Sequence, residues 1–86
     1  MNIYRAVPTG SECTAIVYDG TNFLELKRHI GIRIERSNKF VLGGPLLLDT
    51  PYGVQRVDVG NVVIHQDGYW RAIERRDFNS RYEILR

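Results

Sequence analysis

The chain has 86 residues and a formal net charge of +2, with 43% of its residues hydrophobic and 26% charged. This length suffices for one packed domain over residues 1–86 and is too short for two, and the balanced composition excludes a disordered chain. The apolar stretch around Leu46–Leu48 is far shorter than the roughly 20 residues that a membrane helix needs, so we expect no membrane partner.

Cysteine and arginine usage indicate where the protein works and what surface it has. The single cysteine, Cys13, cannot form an intramolecular disulfide, and residues 1–5 lack the apolar run of a signal peptide, so we expect a reducing cytoplasm. Lys27 and Lys39 are the two lysines, so ten of the twelve basic residues are arginines. Arginine suits recognition surfaces, although genome bias explains the excess equally well.

The first third of the chain predicts a turn, a strand and a helix. Pro8–Ser11 has turn composition, and the β-branched run Thr14–Tyr18 predicts a strand. A helix should begin at Asn22, which has capping-box spacing to Glu25, and end before Gly31.

The middle of the chain predicts antiparallel strands. Ile32–Arg36 alternates apolar and polar residues, as a half-buried strand does. After a turn at residues 37–39, Phe40–Leu42 is predicted as a returning strand, and Gly43–Pro45 as a break before a strand at Leu46–Leu48.

The next two strands are separated by glycine-containing turns. Pro51–Gly53 predicts a turn before a strand that carries Val54 and Val57. Val62–Ile64 is the strand after that, and it leads towards the hairpin signal Gln66–Gly68.

The C-terminal part predicts one more strand, a helical turn and a short final strand. The strand is Tyr69–Ile73, and Phe78 and Tyr82 are spaced as on one helical turn. Residues 83–86 then have the composition of a short strand. Together these elements predict an α+β domain that is mainly β, with a small curled or barrel-like antiparallel sheet and one short helix near the N-terminus.

Catalytic and metal-binding patterns do not emerge from the sequence. His29, His65 and Cys13 show none of the spacings of a metal site, and nothing beside Cys13 has the arrangement of a base and an orienting group. Gly43–Gly44 is followed by Pro45 rather than by a helix with lysine and serine, which is unlike a phosphate-binding loop. We therefore expect no enzyme, no catalytic residue, no metal and no cofactor.

One cluster near the C-terminus has the residue types of a binding surface. Aromatic and arginine side chains dominate protein interfaces and also stack on bases or neutralise phosphates. The candidate partner-binding residues are Trp70, Arg71, Arg75, Arg76 and Arg81. Three interpretations stay open: a core strand with a solvated face, a protein-binding surface, and a nucleotide or nucleic-acid surface.

Several motifs resemble a widespread family of small uncharacterised proteins of tailed phages and prophages, over most of the chain. The matching segments are Gly20-Thr21-Asn22 at the helix start, Gly31 at its end, Thr50 and Gly53 in a turn, Val57–Asn61, the hairpin Gly68, and Phe78–Tyr82. Asn61 stands where the family usually has aspartate. The resemblance implies a phage origin and a shared fold, and it implies no settled activity.

These observations give two functional hypotheses. The first is an accessory phage protein in the host cytoplasm that acts as a non-catalytic binding module on a host or phage protein, in its most specific form as an inhibitor of a host defence protein. The alternative is a small barrel that binds nucleic acid or a nucleotide through Trp70 and the neighbouring arginines. A homo-oligomer is compatible with either, because a chain this short gains stability when a partner chain covers apolar surface.

Overall fold

A computed structural model describes residues 2–6 and 11–84 of the chain. Within these residues the chain forms eight strands, two α-helices and one 3₁₀ turn. In chain order they are β1 Asn2–Ala6, β2 Glu12–Val17, α1 Phe23–Ile30, the 3₁₀ turn Gly31–Arg33, β3 Ile34–Arg36, β4 Leu46–Thr50, β5 Gly53–Val57, β6 Val62–Gln66, β7 Tyr69–Ile73, α2 Arg75–Arg81 and β8 Tyr82–Ile84.

The strands form two antiparallel sheets. The larger has five strands in the order β7-β6-β2-β1-β8, and the smaller has three in the order β3-β4-β5. The domain is therefore α+β and mainly β, as predicted. The predicted barrel does not close: β5 approaches the outer strand β7, but the side chain of Gln55 joins the two strands in place of a backbone ladder.

The larger sheet is packed on both faces, because successive strand residues point to opposite sides. One face packs against α1 and the smaller sheet, and this main core contains Ile16, Tyr18, Phe23, Leu26, Ile34, Leu46, Leu48, Val57, Val63 and Ala72. The other face packs against α2 in a second cluster of Ala15, Val62, Ile64 and Phe78. The domain thus has three layers, with the larger sheet in the middle.

Helix α1 lies where the sequence predicts it, but its first turn differs from a capping box. It buries Phe23 and Leu26 and ends at Gly31, whose φ is +85°. The Asn22 side chain accepts a hydrogen bond from the Asp19 backbone N–H and donates to the Glu25 carboxylate, so it does not cap a helix N–H. Asn22 instead ties the helix start to the turn before it.

Most predicted strands are confirmed, and the β6–β7 hairpin shows why. Its two turn residues, Asp67 and Gly68, have φ of +57° and +90°, and positive φ at both central residues is the geometry of a type I′ turn. This turn has the same twist as the strands it joins. The predicted turn at Pro8–Ser11 falls mostly outside the described residues.

Three predictions about elements need correction. Strand β3 begins at Ile34, because residues 31–33 still turn after the helix. Phe40–Leu42 is an exposed loop and not a strand: β3 pairs directly with β4 through Arg36 and Leu46, which leaves residues 37–45 outside the sheet. The predicted helical turn at Phe78 is a second helix, α2, whose buried Phe78 anchors it on the second face of the sheet, and Tyr82 already belongs to β8.

Candidate functional site

The loop after β3 carries a run of apolar side chains in solvent. Phe40, Val41 and Leu42 are 86%, 46% and 82% exposed, and Leu24 on the neighbouring helix α1 is 71% exposed. Leu24 and Leu42 line the same surface cavity of about 300 Å³, whose floor includes Phe23. We call Leu24, Phe40, Val41 and Leu42 the apolar loop surface.

The loop has a defined shape. The buried hydroxyl of Tyr18 donates to the Gly44 carbonyl at 2.6 Å, and the Ser37 N–H donates to the Pro45 carbonyl at 3.0 Å. Gly43 has φ of +77°, and a Cβ there would lie 3.3 Å from the Gly20 carbonyl oxygen. A glycine is therefore needed where the loop crosses the turn before α1, and the apolar side chains project from a fixed base.

Positive charges flank the apolar loop surface. The Arg36 guanidinium lies 4.3 Å from the centre of the Phe23 ring, and the Lys39 ammonium lies 5.5 Å from the centre of the Phe40 ring. Neither cation forms an ion pair within residues 11–84. The surface therefore presents exposed apolar groups beside uncompensated positive charge.

The predicted partner-binding residues do not share one surface. Trp70 is half-buried and packs against the main core, where its ring centre lies 4.9 Å from that of His65. Arg71, the next residue of β7, points to the opposite face of the sheet. At about 100° per helical residue, Arg75 and Arg81 flank the buried Phe78 while Arg76 faces outward.

Arg71 belongs to a hydrogen-bonded group beneath α2. Its Nη2 donates to the Tyr82 hydroxyl at 3.0 Å, and that hydroxyl donates to Gln66 Oε1 at 2.8 Å. Burial raises the pKa of the Tyr82 hydroxyl, with the Arg71 charge acting in the opposite direction. Tyr82 therefore stays protonated at neutral pH and can donate to Gln66 while it accepts from Arg71.

A cleft opens beside Arg71, between the tips of the β4–β5 and β6–β7 hairpins. Tyr52, Tyr69 and Arg71 line a cavity of about 310 Å³. Tyr69 also lines an adjoining cavity of about 190 Å³, together with Arg33, Asp49, Trp70 and others. The sequence predicts Trp70 and Arg71 as partner-binding residues. Tyr52 and Arg33 are distant from them in sequence, and only the tertiary fold brings these two residues to the cleft.

Cys13 and His65 are the side chains with the chemistry for nucleophilic or base catalysis. Cys13 is buried, and burial raises the pKa of its thiol, so the thiolate is not favoured at neutral pH. His65 pairs with Thr14, the neighbour of Cys13, so the Cys13 and His65 side chains start on opposite faces of the sheet, and both residues line one surface cavity of about 260 Å³ with Glu12 and Thr14. Within residues 11–84 no three histidine, cysteine or acidic side chains converge as a metal site would require.

The apolar loop surface has a signal in the sequence, the apolar run that predicts a strand at Phe40–Leu42. Phe40–Leu42 has no polar alternation and is only three residues long, between Lys39 and the break Gly43–Pro45. A buried strand and an exposed loop can share this pattern. Because β3 pairs directly with β4, the segment between them has no strand to pair with and forms a loop.

None of the described helices has the length and apolar character needed to cross a membrane. Comparison with known protein families, curated proteins and solved structures finds no match for this chain, so the resemblance to phage proteins stays a prediction.

Proposed function

We propose that this chain is a non-catalytic protein-binding module that contacts its partner through the apolar loop surface. The observation that carries the proposal is the exposure of Phe40 and Leu42, which lie on a loop that is fixed to the core. Burying one such side chain contributes about 1.5–3 kcal/mol, so a monomer gains nothing by leaving two of them in water. Contiguous exposed apolar groups of this kind mark protein interaction sites.

The partner should present an apolar pocket beside acidic groups. Arg36 and Lys39 lie next to the apolar side chains and have no carboxylate partner within residues 11–84. Complementary charge speeds association and selects the partner, while the desolvated apolar centre supplies most of the affinity. The like charges at this surface also disfavour a second copy of the chain as the occupant.

The resemblance to phage proteins supports a biological setting for this module, as part of the same proposal. An accessory phage protein in the host cytoplasm would bind a host or phage protein, and an inhibitor of a host defence protein is the specific form. The alternative through Trp70 and its neighbouring arginines requires those side chains on one surface, whereas Trp70 and Arg71 lie on opposite faces of the sheet. We therefore favour a protein partner.

The test compares the wild-type chain with the double variant Phe40→Ser and Leu42→Ser. Both chains are incubated with bacterial lysate, cross-linked and analysed by mass spectrometry for captured proteins and cross-linked positions. We expect a partner whose cross-links cluster at Lys39, and we expect the double variant to lose it, because the apolar contacts are gone. The captured surface should be rich in aspartate or glutamate around an apolar pocket.

The matched control is Ile32→Ser, which removes another exposed apolar side chain (90% exposed) outside the apolar loop surface. This control should capture the same partner as the wild type. Equal capture by the wild type and the double variant would contradict the proposal, as would a wild type that forms a dimer through this loop in sedimentation experiments.

A further inference from the structure

We propose that the cleft between the β4–β5 and β6–β7 hairpins binds a nucleoside monophosphate, with the base against Tyr52 and Tyr69 and the phosphate at Arg71. This site is distinct from the apolar loop surface, and its existence does not depend on the protein-binding proposal. The two surfaces lie at opposite ends of β4 and β6.

Arg71 is the first reason for an anionic ligand. The residue is half-buried, and no carboxylate lies within ion-pair distance of it among residues 11–84. A partly desolvated charge without a counter-ion is unfavourable, and an anion that occupies the cleft removes that cost. The charge is thus available to a ligand.

The geometry around Arg71 holds the guanidinium ready for such a ligand. Its hydrogen bond to the Tyr82 hydroxyl uses one N–H, and Tyr82 is in turn fixed by Gln66. A guanidinium has five N–H donors in a planar fork, so several remain to bind phosphate oxygens. The Tyr82–Gln66 pair positions Arg71 without neutralising it.

Two aromatic rings line the same cleft and favour a planar group on the ligand. The Tyr52 and Tyr69 rings are 5.6 Å apart between centres and inclined by 68°, and Tyr52 is 86% exposed. Aromatic side chains in a positively charged groove stack bases next to phosphate contacts, and here Tyr52 is the exposed ring and Tyr69 the half-buried one. An inorganic anion alone would leave these rings without a role.

Cavity size and the remaining charges favour one nucleotide. The cavity beside Arg71 measures about 310 Å³, at the lower end of the range of small-ligand sites, and the adjoining cavity adds about 190 Å³. The adjoining cavity carries one positive and one negative group, Arg33 and Asp49, so Arg71 supplies the excess positive charge. The Asp49 carboxylate is a hydrogen-bond acceptor suited to a ribose hydroxyl or a base amino group.

The experiment is isothermal titration calorimetry of the full chain with adenosine monophosphate and uridine monophosphate. Adenosine lacks the phosphate, ribose 5-phosphate lacks the base, and inorganic phosphate lacks both, so these three compounds test each half of the ligand separately. We expect both nucleotides to bind and each fragment to bind at least about tenfold more weakly, because each half supplies at least about 1.4 kcal/mol. A short single-stranded oligonucleotide with a 5′-phosphate distinguishes a free nucleotide from the end of a nucleic-acid strand.

Two variants test the assigned residues. Arg71→Gln should weaken nucleotide binding by at least about tenfold and leave adenosine binding unchanged, since it removes the phosphate contact. Tyr52→Ala should also weaken nucleotide binding by about tenfold and leave phosphate binding unchanged, and its exposed position preserves the fold. Arg76→Gln on α2 is the matched arginine control and should bind as the wild type does.

Several outcomes would overturn the site assignment. They are no nucleotide binding at millimolar concentration, equal binding of inorganic phosphate and nucleotide, equal affinities in wild type and Arg71→Gln, and tighter binding of the oligonucleotide than of the mononucleotide. The Phe40→Ser and Leu42→Ser double variant should bind the nucleotide normally, so failure of this proposal and failure of the protein-binding proposal are distinguishable.

Discussion

Tyr18 connects the core of the domain to the loop that carries its exposed apolar residues. The side chain is 1% exposed, packs in the main core, and donates its hydroxyl hydrogen to the Gly44 carbonyl at 2.6 Å. Its backbone N–H donates to Asn61, and its carbonyl accepts from Gly60. One residue thus holds the end of β2, the turn before β6 and the loop after β3.

Tyr18→Phe should therefore destabilise the protein and loosen the loop. The variant keeps the buried ring and leaves the Gly44 carbonyl without its partner, at a cost of about 1–2 kcal/mol in the free energy of unfolding. Urea denaturation followed by circular dichroism measures this change. Tyr52→Phe removes a hydroxyl from an 86% exposed ring and should change stability by less than about 0.5 kcal/mol.

The same residue predicts a dependence of stability on alkaline pH. Burial raises the pKa of the Tyr18 hydroxyl above its ordinary value of 10.0. Above pH 10 the unfolded chain therefore loses a proton that the folded chain retains, and stability falls as pH rises towards the folded pKa. The stability of Tyr18→Phe should fall less steeply in this range; identical slopes for both proteins would contradict this account.

At the scale of elements, Gln55 joins the two sheets. Its side-chain N–H donates to the Ala72 carbonyl at 2.7 Å, and its Oε1 accepts from the Ala72 N–H at 2.9 Å. β7 is the outer strand of the larger sheet, so these Ala72 groups would otherwise face the smaller sheet without partners. The primary amide of Gln55 reproduces the pairing of a neighbouring strand at a single residue.

Gln55→Glu tests this contact with almost no change in shape. The carboxylate keeps an acceptor for the Ala72 N–H, but it loses the donor and places a negative charge against the Ala72 carbonyl. We expect a loss of about 1–3 kcal/mol in the free energy of unfolding at neutral pH. Asn79→Asp makes the same chemical change at an exposed position on α2 and should cost less than about 0.5 kcal/mol; equal losses in the two variants would contradict the role of Gln55.

At the scale of the whole molecule, the two proposed binding surfaces are separated by the length of the strands. β4 begins at Leu46, next to the loop that carries Phe40 and Leu42, and it ends at Thr50 in the cleft. Five residues of strand span about 17 Å. The sites share no side chain, and the core lies between them.

We therefore expect the two sites to be energetically independent. Stability effects at positions more than about 7–10 Å apart usually add to within about 0.5 kcal/mol. The combination of Arg71→Gln with Phe40→Ser and Leu42→Ser should change the free energy of unfolding by the sum of the separate changes. Urea denaturation of the wild type, the separate variants and their combination tests this additivity. A coupling energy above about 1 kcal/mol would show that the two sites interact.

The sequence by itself determined the local elements of this protein. Alternating and β-branched residues specified most strands because side chains on a strand must face one core or the other, and Gly68 specified its hairpin because the turn requires positive φ. The strand predicted at Phe40–Leu42 is wrong because a local pattern does not say whether an apolar segment finds a strand to pair with.

Only the tertiary structure decided which of these residues meet. It divided Trp70 and Arg71 between two faces, brought Tyr52 to Tyr69, and left Phe40 and Leu42 in water. Such contacts depend on strand order and on the packing of two sheets, which join residues far apart in the chain. Local sequence preferences act over a few neighbouring residues, so they carry little information about those long-range contacts.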